Sequence, residues 1–176
     1  MSGKLDHNTI LSFTGEGEPL LNYKNVNQVI ERNIDAVESF RICFSGLSTK
    51  RLERISHKDM VRLQFSMHSP KNSVRRSLIT NTRPLEEIKE SLLEYGGLYK
   101  EVAINYVPMK GINDSNEDID MLMKYIEPHW HIKINPLLDE TKQFTKSERS
   151  DIIYKELAEN GFLVSKFDKI GSTIKK

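Results

Sequence analysis

Short apolar runs alternate with longer amphipathic ones along this chain, at about 30 residues per strand–helix unit, and that alternation constrains the fold most. The apolar runs read as strands over Thr9–Thr14, Phe40–Ser45, Val61–His68, Glu101–Val107, His131–Asn135 and Phe162–Phe167. Between them, Asn25–Ile34 places Val26, Val29, Ile30 and Ile34 on one face at helical spacing. Pro84–Tyr95 opens on a proline and ends before Gly96-Gly97, which is start and stop chemistry for a helix. Asp114–Ile126 begins with Asp and Ser capping residues, and Lys146–Asn160 closes on Asn160-Gly161. Repeated strand–helix units predict right-handed crossovers and a parallel sheet, hence one α/β domain over residues 1–176.

These units are too few for an eight-fold barrel, which takes about 250 residues. A sheet that curves like a barrel leaves the strand carrying Ile10, Leu11 and Phe13 at an open edge. An uncovered apolar edge invites pairing, so an upstream segment, a second copy or another chain is expected to cover it.

Composition excludes several classes. Lys and Arg number 26 against 25 Asp and Glu, and the net charge of +1 gives no general pull toward nucleic acid. No apolar run approaches the roughly 20 residues of a membrane span, and the start MSGKLDHNTI has no signal-peptide pattern. A cytoplasmic location with no membrane partner is the expectation. The single cysteine, Cys43, supports neither an internal disulfide nor a multi-cysteine metal site within this chain, and a buried structural thiol is expected there.

In α/β folds the working groups collect at the carboxyl ends of strands. The first strand runs into Gly15-Glu16-Gly17-Glu18-Pro19. Glycines let the backbone approach a ligand, and a carboxylate there accepts hydrogen bonds from an ammonium group. The same pentapeptide also reads as a plain turn with solvated glutamates. Alternation puts Arg41, Cys43 and Ser45 on one face of the second strand. In the third, Gln64, Ser66 and His68 oppose Leu63, Phe65 and Met67. His131, Lys133 and Asn135 form a polar row in the fifth, and Asn105 interrupts the apolar fourth. A strand buried on both faces should be apolar on both, so four polar strand ends predict a ligand cavity. A core histidine satisfied by a backbone carbonyl is the competing reading of His68.

Taken in order, FTGEGEPLLNYKNV, RICFSGLS, FSMHSPKNSVRRSLI and INYVPMKGINDS resemble the radical S-adenosylmethionine methyltransferases acting on adenine C2 of large-subunit ribosomal RNA, whose relatives modify C8 of the same base. The resemblance runs from about Leu11 to Phe167 and implies a partial (β/α)6-type barrel of the radical SAM superfamily, lacking its first strand. It further implies that Gly17 and Glu18 hold the methionyl amine of S-adenosylmethionine and that Ser45 makes a polar contact to it. By the same resemblance Ser66, Met67 and His68 reach the ribose and carboxylate, and Val107 to Asp114 forms the turn near the adenine.

The departures are equally specific. The family's Cys-x3-Cys-x2-Cys motif, which holds a [4Fe–4S] cluster, has no counterpart here, nor has its methyl-carrying cysteine near the end Gly171-Ser172-Thr173-Ile174-Lys175-Lys176. A cluster therefore needs ligands from an upstream segment or another chain. An asparagine expected two residues after Pro136 is replaced by Leu138, with Asn135 standing just before the proline as a candidate substitute. The resemblance makes the chain look incomplete on its N-terminal side and inactive alone. A degenerate binding module, or part of another radical enzyme such as an activating enzyme, are the alternatives.

Lys50, Arg51, Arg54, Lys58 and Arg62 crowd the second unit, and Lys71, Arg75, Arg76 and Arg83 follow the Ser-Met-His segment. They read either as phosphate contacts to ribosomal or transfer RNA or as a solvated face balanced by acids.

Overall fold

The computed structural model describes residues 7–14, 17–138 and 141–167. Six strands, β1 (Ile10–Phe13), β2 (Ser39–Phe44), β3 (Val61–Ser66), β4 (Glu101–Tyr106), β5 (His131–Ile134) and β6 (Val164–Lys166), stand in sheet order β1-β2-β3-β4-β5-β6. The pairs β1–β2, β2–β3 and β5–β6 are parallel. Five α-helices accompany them: α1 (Tyr23–Asn33), α2 (Asn72–Leu78), α3 (Leu85–Tyr95), α4 (Asn116–Tyr125) and α5 (Ser150–Glu159). The α/β class and the parallel sheet expected from the alternation are thus observed, and β1 is an end strand of the order. Among the described residues no helix is long and apolar enough to cross a membrane.

The chain forms two compact units. One runs to Ser66 and resumes over Asn81–Ala103; the other takes Met67–Thr80 and the described residues from Ile104 on. In the first, strand alternation sends Phe40, Ile42 and Phe44 of β2 and Val61, Leu63 and Phe65 of β3 into the interior. Val26 and Ile30 of α1 and Ile88 and Leu92 of α3 are buried too. Phe44 and Phe65 stack with ring centroids 5.5 Å apart. In the second, the core comprises Ile104 and Tyr106, Ile119 and Leu122, Trp130, Ile132 and Ile134, with Ile153 and Leu157 from α5.

Helix boundaries differ from the expected ones for identifiable reasons. The α4 start has its capping box: Ser115 Oγ accepts from the Asp118 N–H, and Asp118 Oδ2 accepts from the Ser115 N–H at 3.0 Å. α5 begins at Ser150 and not at Lys146. Lys146 instead bridges to Met109, and the Ser147 hydroxyl is committed to Asp114 Oδ2 at 2.6 Å, so the segment before Ser150 is anchored elsewhere. Gly161 takes the left-handed cap conformation at φ 83°. Gly96 does not; it stays right-handed and continues as a 3-10 turn to Leu98. Its missing side chain answers packing, since a Cβ there would meet Val102 Cγ2 at 3.1 Å.

α2 escaped the periodicity reading because its one buried residue is a cation, Arg75. Cys43 is half-buried. The expected buried thiol is corrected by alternation, which puts Cys43 on the face of Arg41 and Ser45, opposite the buried Ile42 and Phe44.

Candidate functional site

In the first unit, Glu18 and Ser45 meet across two strand ends. Glu18 follows β1 and Ser45 follows β2, and the parallel β1–β2 pairing brings their loops to the same edge. Glu18 Oε2 accepts from the Ser45 backbone N–H at 2.8 Å and from the Ser45 hydroxyl at 2.7 Å. Its other oxygen, Oε1, is buried and has no hydrogen-bond partner among the described residues. A buried carboxylate oxygen without a donor is costly, and a cationic N–H donor from a ligand would remove that cost. Gly17 stands beside it at φ 91°, a conformation that L side chains rarely adopt. Gly15 and Glu16 lie outside the described residues.

Ser66 ends β3 on the half-buried polar face, as alternation predicted, together with Arg62 and Gln64.

The second unit holds the other strand-end residues. Met67 is fully buried. Its backbone is already engaged, the N–H donating to the Asn105 carbonyl at 3.1 Å and the carbonyl accepting from Arg75 Nη1. The Met67 side chain therefore belongs to the core. His68 lies just past β3, its backbone at φ 61°. Asn135 is half-buried after β5; its Nδ2 donates to Asn105 Oδ1 at 3.1 Å and its N–H to the Tyr106 carbonyl at 2.9 Å. Leu138 is 69% exposed. Asn135 also lines a cleft of ≈ 460 Å³ with Pro136, Ser147, Ser150, Asp151 and Lys166.

Sequence reasoning named the Val107 to Asp114 turn but missed how it is held. Asn113 is fully buried, and its side chain binds three backbone groups. Oδ1 accepts from the Met109 N–H at 2.6 Å, while Nδ2 donates to the carbonyls of Val107, at 2.9 Å, and of His68. The Tyr106 hydroxyl donates to the Asn113 carbonyl. Burial, with the charges of Asp118 and Asp114, pushes the Tyr106 phenol far up, so it stays a donor. Asp114 adds bonds from the Gly111 N–H at 2.9 Å and from Ser147. A polar residue that caps three backbone groups leaves no periodic trace in sequence; the loop's NDS run was its only sign.

The basic clusters are largely consumed inside the protein. Arg62 donates to Glu38, Glu101 and Ser39, at 2.7, 2.9 and 3.0 Å. Lys58 caps the carbonyls of Glu53 and Ile55, and Lys71 pairs with Glu117 at 2.6 Å and Asp118 at 3.2 Å. Arg75 is buried, and burial lowers its guanidinium to about 10. Lys50 and Arg76 are exposed.

The residues do not fit an iron–sulfur cluster. The chain has one cysteine, and no group of three or more His, Cys, Asp or Glu among the described residues could hold a metal ion. They do fit an ammonium-bearing ligand at Glu18.

No family model matches the chain. Curated relatives do. A probable dual-specificity RNA methyltransferase RlmN from Christiangramia forsetii is 29% identical over 166 residues, 87% of this chain and 47% of that protein. Its namesake from Flavobacterium psychrophilum is 30% identical over 166 residues, 86% of this chain and 47% of that protein. The chain thus spans about half the length of the curated relatives it matches. Among solved structures, a radical SAM methyltransferase from Sphaerobacter thermophilus superposes with a TM-score of 0.77 at 23% identity, over 92% of this chain and 50% of that one. A domain of a pyruvate-formate lyase-activating enzyme from Bacteroides vulgatus gives 0.71 at 16% identity, over 89% and 98%. These structures show the fold, and it is the radical SAM fold that the resemblance implied. The chain is homologous, over most of its length, to about half of the RNA methyltransferases named RlmN.

Proposed function

We propose that this chain is the S-adenosylmethionine-holding part of a radical enzyme that modifies RNA, and that its first contact with the cofactor is an ammonium group at Glu18. The observation that carries the reading is the divided carboxylate: Oε2 is fixed by Ser45, and Oε1 is buried without a donor among the described residues. An α-ammonium donating to Oε1 completes the hydrogen bonding of a half-buried carboxylate, and Ser45 holds that carboxylate in one orientation before the ligand arrives. Gly17 lets the backbone pass close to the same group. The segment Ser66, Met67 and His68 is assigned to ribose and carboxylate by resemblance, and Asn135 to a polar contact.

Bound S-adenosylmethionine supplies an activated methyl group and a cleavable sulfur–carbon bond. The electron for such cleavage has no source among this chain's own residues, because one cysteine cannot replace three thiolates. Cluster ligands from an upstream segment or another chain are required, so the 176-residue chain alone is inactive. RNA is the substrate class because the relatives are RNA methyltransferases by name.

The test is equilibrium binding of S-adenosylmethionine, and of an analogue lacking the α-amine, to the wild-type chain and to Glu18→Gln. A charge-assisted hydrogen bond is worth about 1.5–3 kcal/mol, so the substitution should weaken the amine-bearing ligand about 10- to 100-fold. The deaminated analogue should lose little. Equal affinity of both proteins for S-adenosylmethionine would overturn the assignment.

A second reading, a binding module that keeps the ligand and has no chemistry, is favoured by the single cysteine. It predicts the same binding result. Formation of 5′-deoxyadenosine by the chain after reconstitution with iron and sulfide would eliminate it, and would equally contradict inactivity.

A further inference from the structure

Most cations of the two basic clusters are bound to acceptors within the protein, and two of them, Arg51 and Arg54, are held against an aromatic ring. In the first unit, Arg51 and Arg54 lie one turn apart on a 3-10 helix, Thr49–Arg54, so their side chains project on one side. Both guanidinium groups sit over the ring of Tyr23, at 5.5 and 5.8 Å from its centroid. Arg54 Nη1 also donates to the Tyr23 hydroxyl at 3.3 Å, and Arg51 Nη1 to the carbonyls of Leu20 and Leu21 at 3.2 and 2.8 Å. Glu53 lies 3.4 Å from Arg54 Nε, and Lys50, Arg51, Arg54 and Arg83 share their cleft with Glu53, Glu87, Glu90 and Glu94. Lys24, next to Tyr23 in the chain, and Lys50, next to Arg51, are exposed. The positive field is felt at the ring, whose phenol is lowered by the Arg54 hydrogen bond and by the charges of Arg54, Lys24 and Arg51.

Two properties set this group apart from ordinary surface lysines. Its arginines are ordered in advance by the aromatic ring and by backbone carbonyls, so gripping an anion costs them little side-chain entropy. Its position is also defined: Leu20 and Leu21 lie two and three residues after Glu18, in the 3-10 turn Pro19–Asn22 that Glu18 precedes, so the stack stands on the same strand-end edge as the proposed ligand carboxylate.

We infer that Arg51 and Arg54, ordered on Tyr23, form with their chain neighbours Lys24 and Lys50 a phosphate-binding rim that docks the RNA backbone. The inference rests on the RNA-modifying reading and deepens it by naming the surface of this chain that meets the polymer. Contacts of this type position a strand without reading its sequence.

The experiment measures binding of the chain to a fluorescent single-stranded RNA oligonucleotide across a salt series. Lys24→Gln and Lys50→Gln are made together, and Arg54→Gln is added in a second variant. Arg51 is left intact because it holds the backbone after Glu18. Lys124→Gln with Lys155→Gln, exposed on α4 and α5, is the charge-matched control. Each lost phosphate contact should lower the slope of log affinity against log salt by about 0.7 for single-stranded RNA. The double variant is therefore expected to lose about 1.4 and the triple about 2, with the control unchanged.

An equal loss in the control, an unaltered slope in the rim variants, or no RNA binding by the wild-type chain would each overturn the inference. S-adenosylmethionine binding by the same variants keeps the two readings separable. Loss of the slope with cofactor affinity intact supports the rim. Slope loss in a chain that never binds the cofactor supports the rim and removes the cofactor assignment.

Discussion

The buried side-chain amide of Asn113 donates from Nδ2 to the carbonyl of His68, a residue held at φ 61°. The same amide also serves Val107 and Met109, so one side chain sets the backbone after β3 and the turn after β4 within the second unit. Positive φ at a non-glycine residue is strained and persists only where the surroundings enforce it.

Asn113→Ala strips partners from one buried and two half-buried backbone groups, and with about 1–3 kcal/mol for a buried group left unsatisfied and less for the other two a total loss of about 2–3 kcal/mol is expected. Urea unfolding reads it. A loss below about 1 kcal/mol would show that the turn re-forms its bonds without the side chain.

Ser45→Ala removes the hydroxyl donor to Glu18 and keeps the backbone one. Stability should fall by about 1 kcal/mol, while affinity for an ammonium-bearing ligand falls more than that alone implies, because the carboxylate gains freedom. Paired melting and binding measurements check this; unchanged affinity would detach Ser45 from the site.

Arg75 gives a pH-dependent prediction. Burial lowers its guanidinium to about 10, well below the ordinary guanidinium value. Below the folded value the charge is present in both states, and its burial penalty is constant and full. Between the two values the unfolded chain binds more protons, so the Arg75 contribution turns more favourable as pH rises. The stability difference between wild type and Arg75→Met should be flat from about pH 6 to 9 and shift toward the wild type by about pH 11. Paired urea curves at both ends test it, and a difference constant throughout would refute the assignment.

The tyrosines should ionise in stages. Tyr23 is lowered, first by the Arg54 hydrogen bond, whereas burial pushes Tyr99 and Tyr106 up. In a near-ultraviolet absorbance titration, Tyr23→Phe should delete an early step and Arg54→Gln should delay it. If the early step survives Tyr23→Phe, the stack about that ring is not the source of the field.

The sequence showed most of the frame because alternation survives in it: β2 and β3 bury every second residue, as Ile42 and Phe44, and Leu63 and Phe65, announce. Strand ends were overrun by one or two residues, since apolar character continues through Met67 whereas the left-handed His68 ends the pairing. α2 was invisible to apolar spacing because it buries Arg75. At the site, the Gly-Glu-Pro segment was legible as an acceptor, but its partner was not: nothing local to Ser45 says that both its donors turn to Glu18, 27 residues earlier. The basic runs misled in the opposite direction, because charge counts do not tell a guanidinium that binds carbonyls and glutamates from one that faces solvent, and Arg62 is of the first kind.

The divided carboxylate of Glu18 also limits what that residue can contribute to a reaction. On the proposed reading, its open oxygen grips an α-ammonium that stays chemically unaltered whether the ligand has delivered its methyl group, been cleaved at sulfur or not reacted. Interactions equal in ground state, transition state and product tighten occupancy without lowering the barrier between them. Glu18 is then an anchor rather than an accelerator. Amino-acid fragments that share the ammonium, methionine among them, should compete for it, and spent ligand should leave no faster on its account.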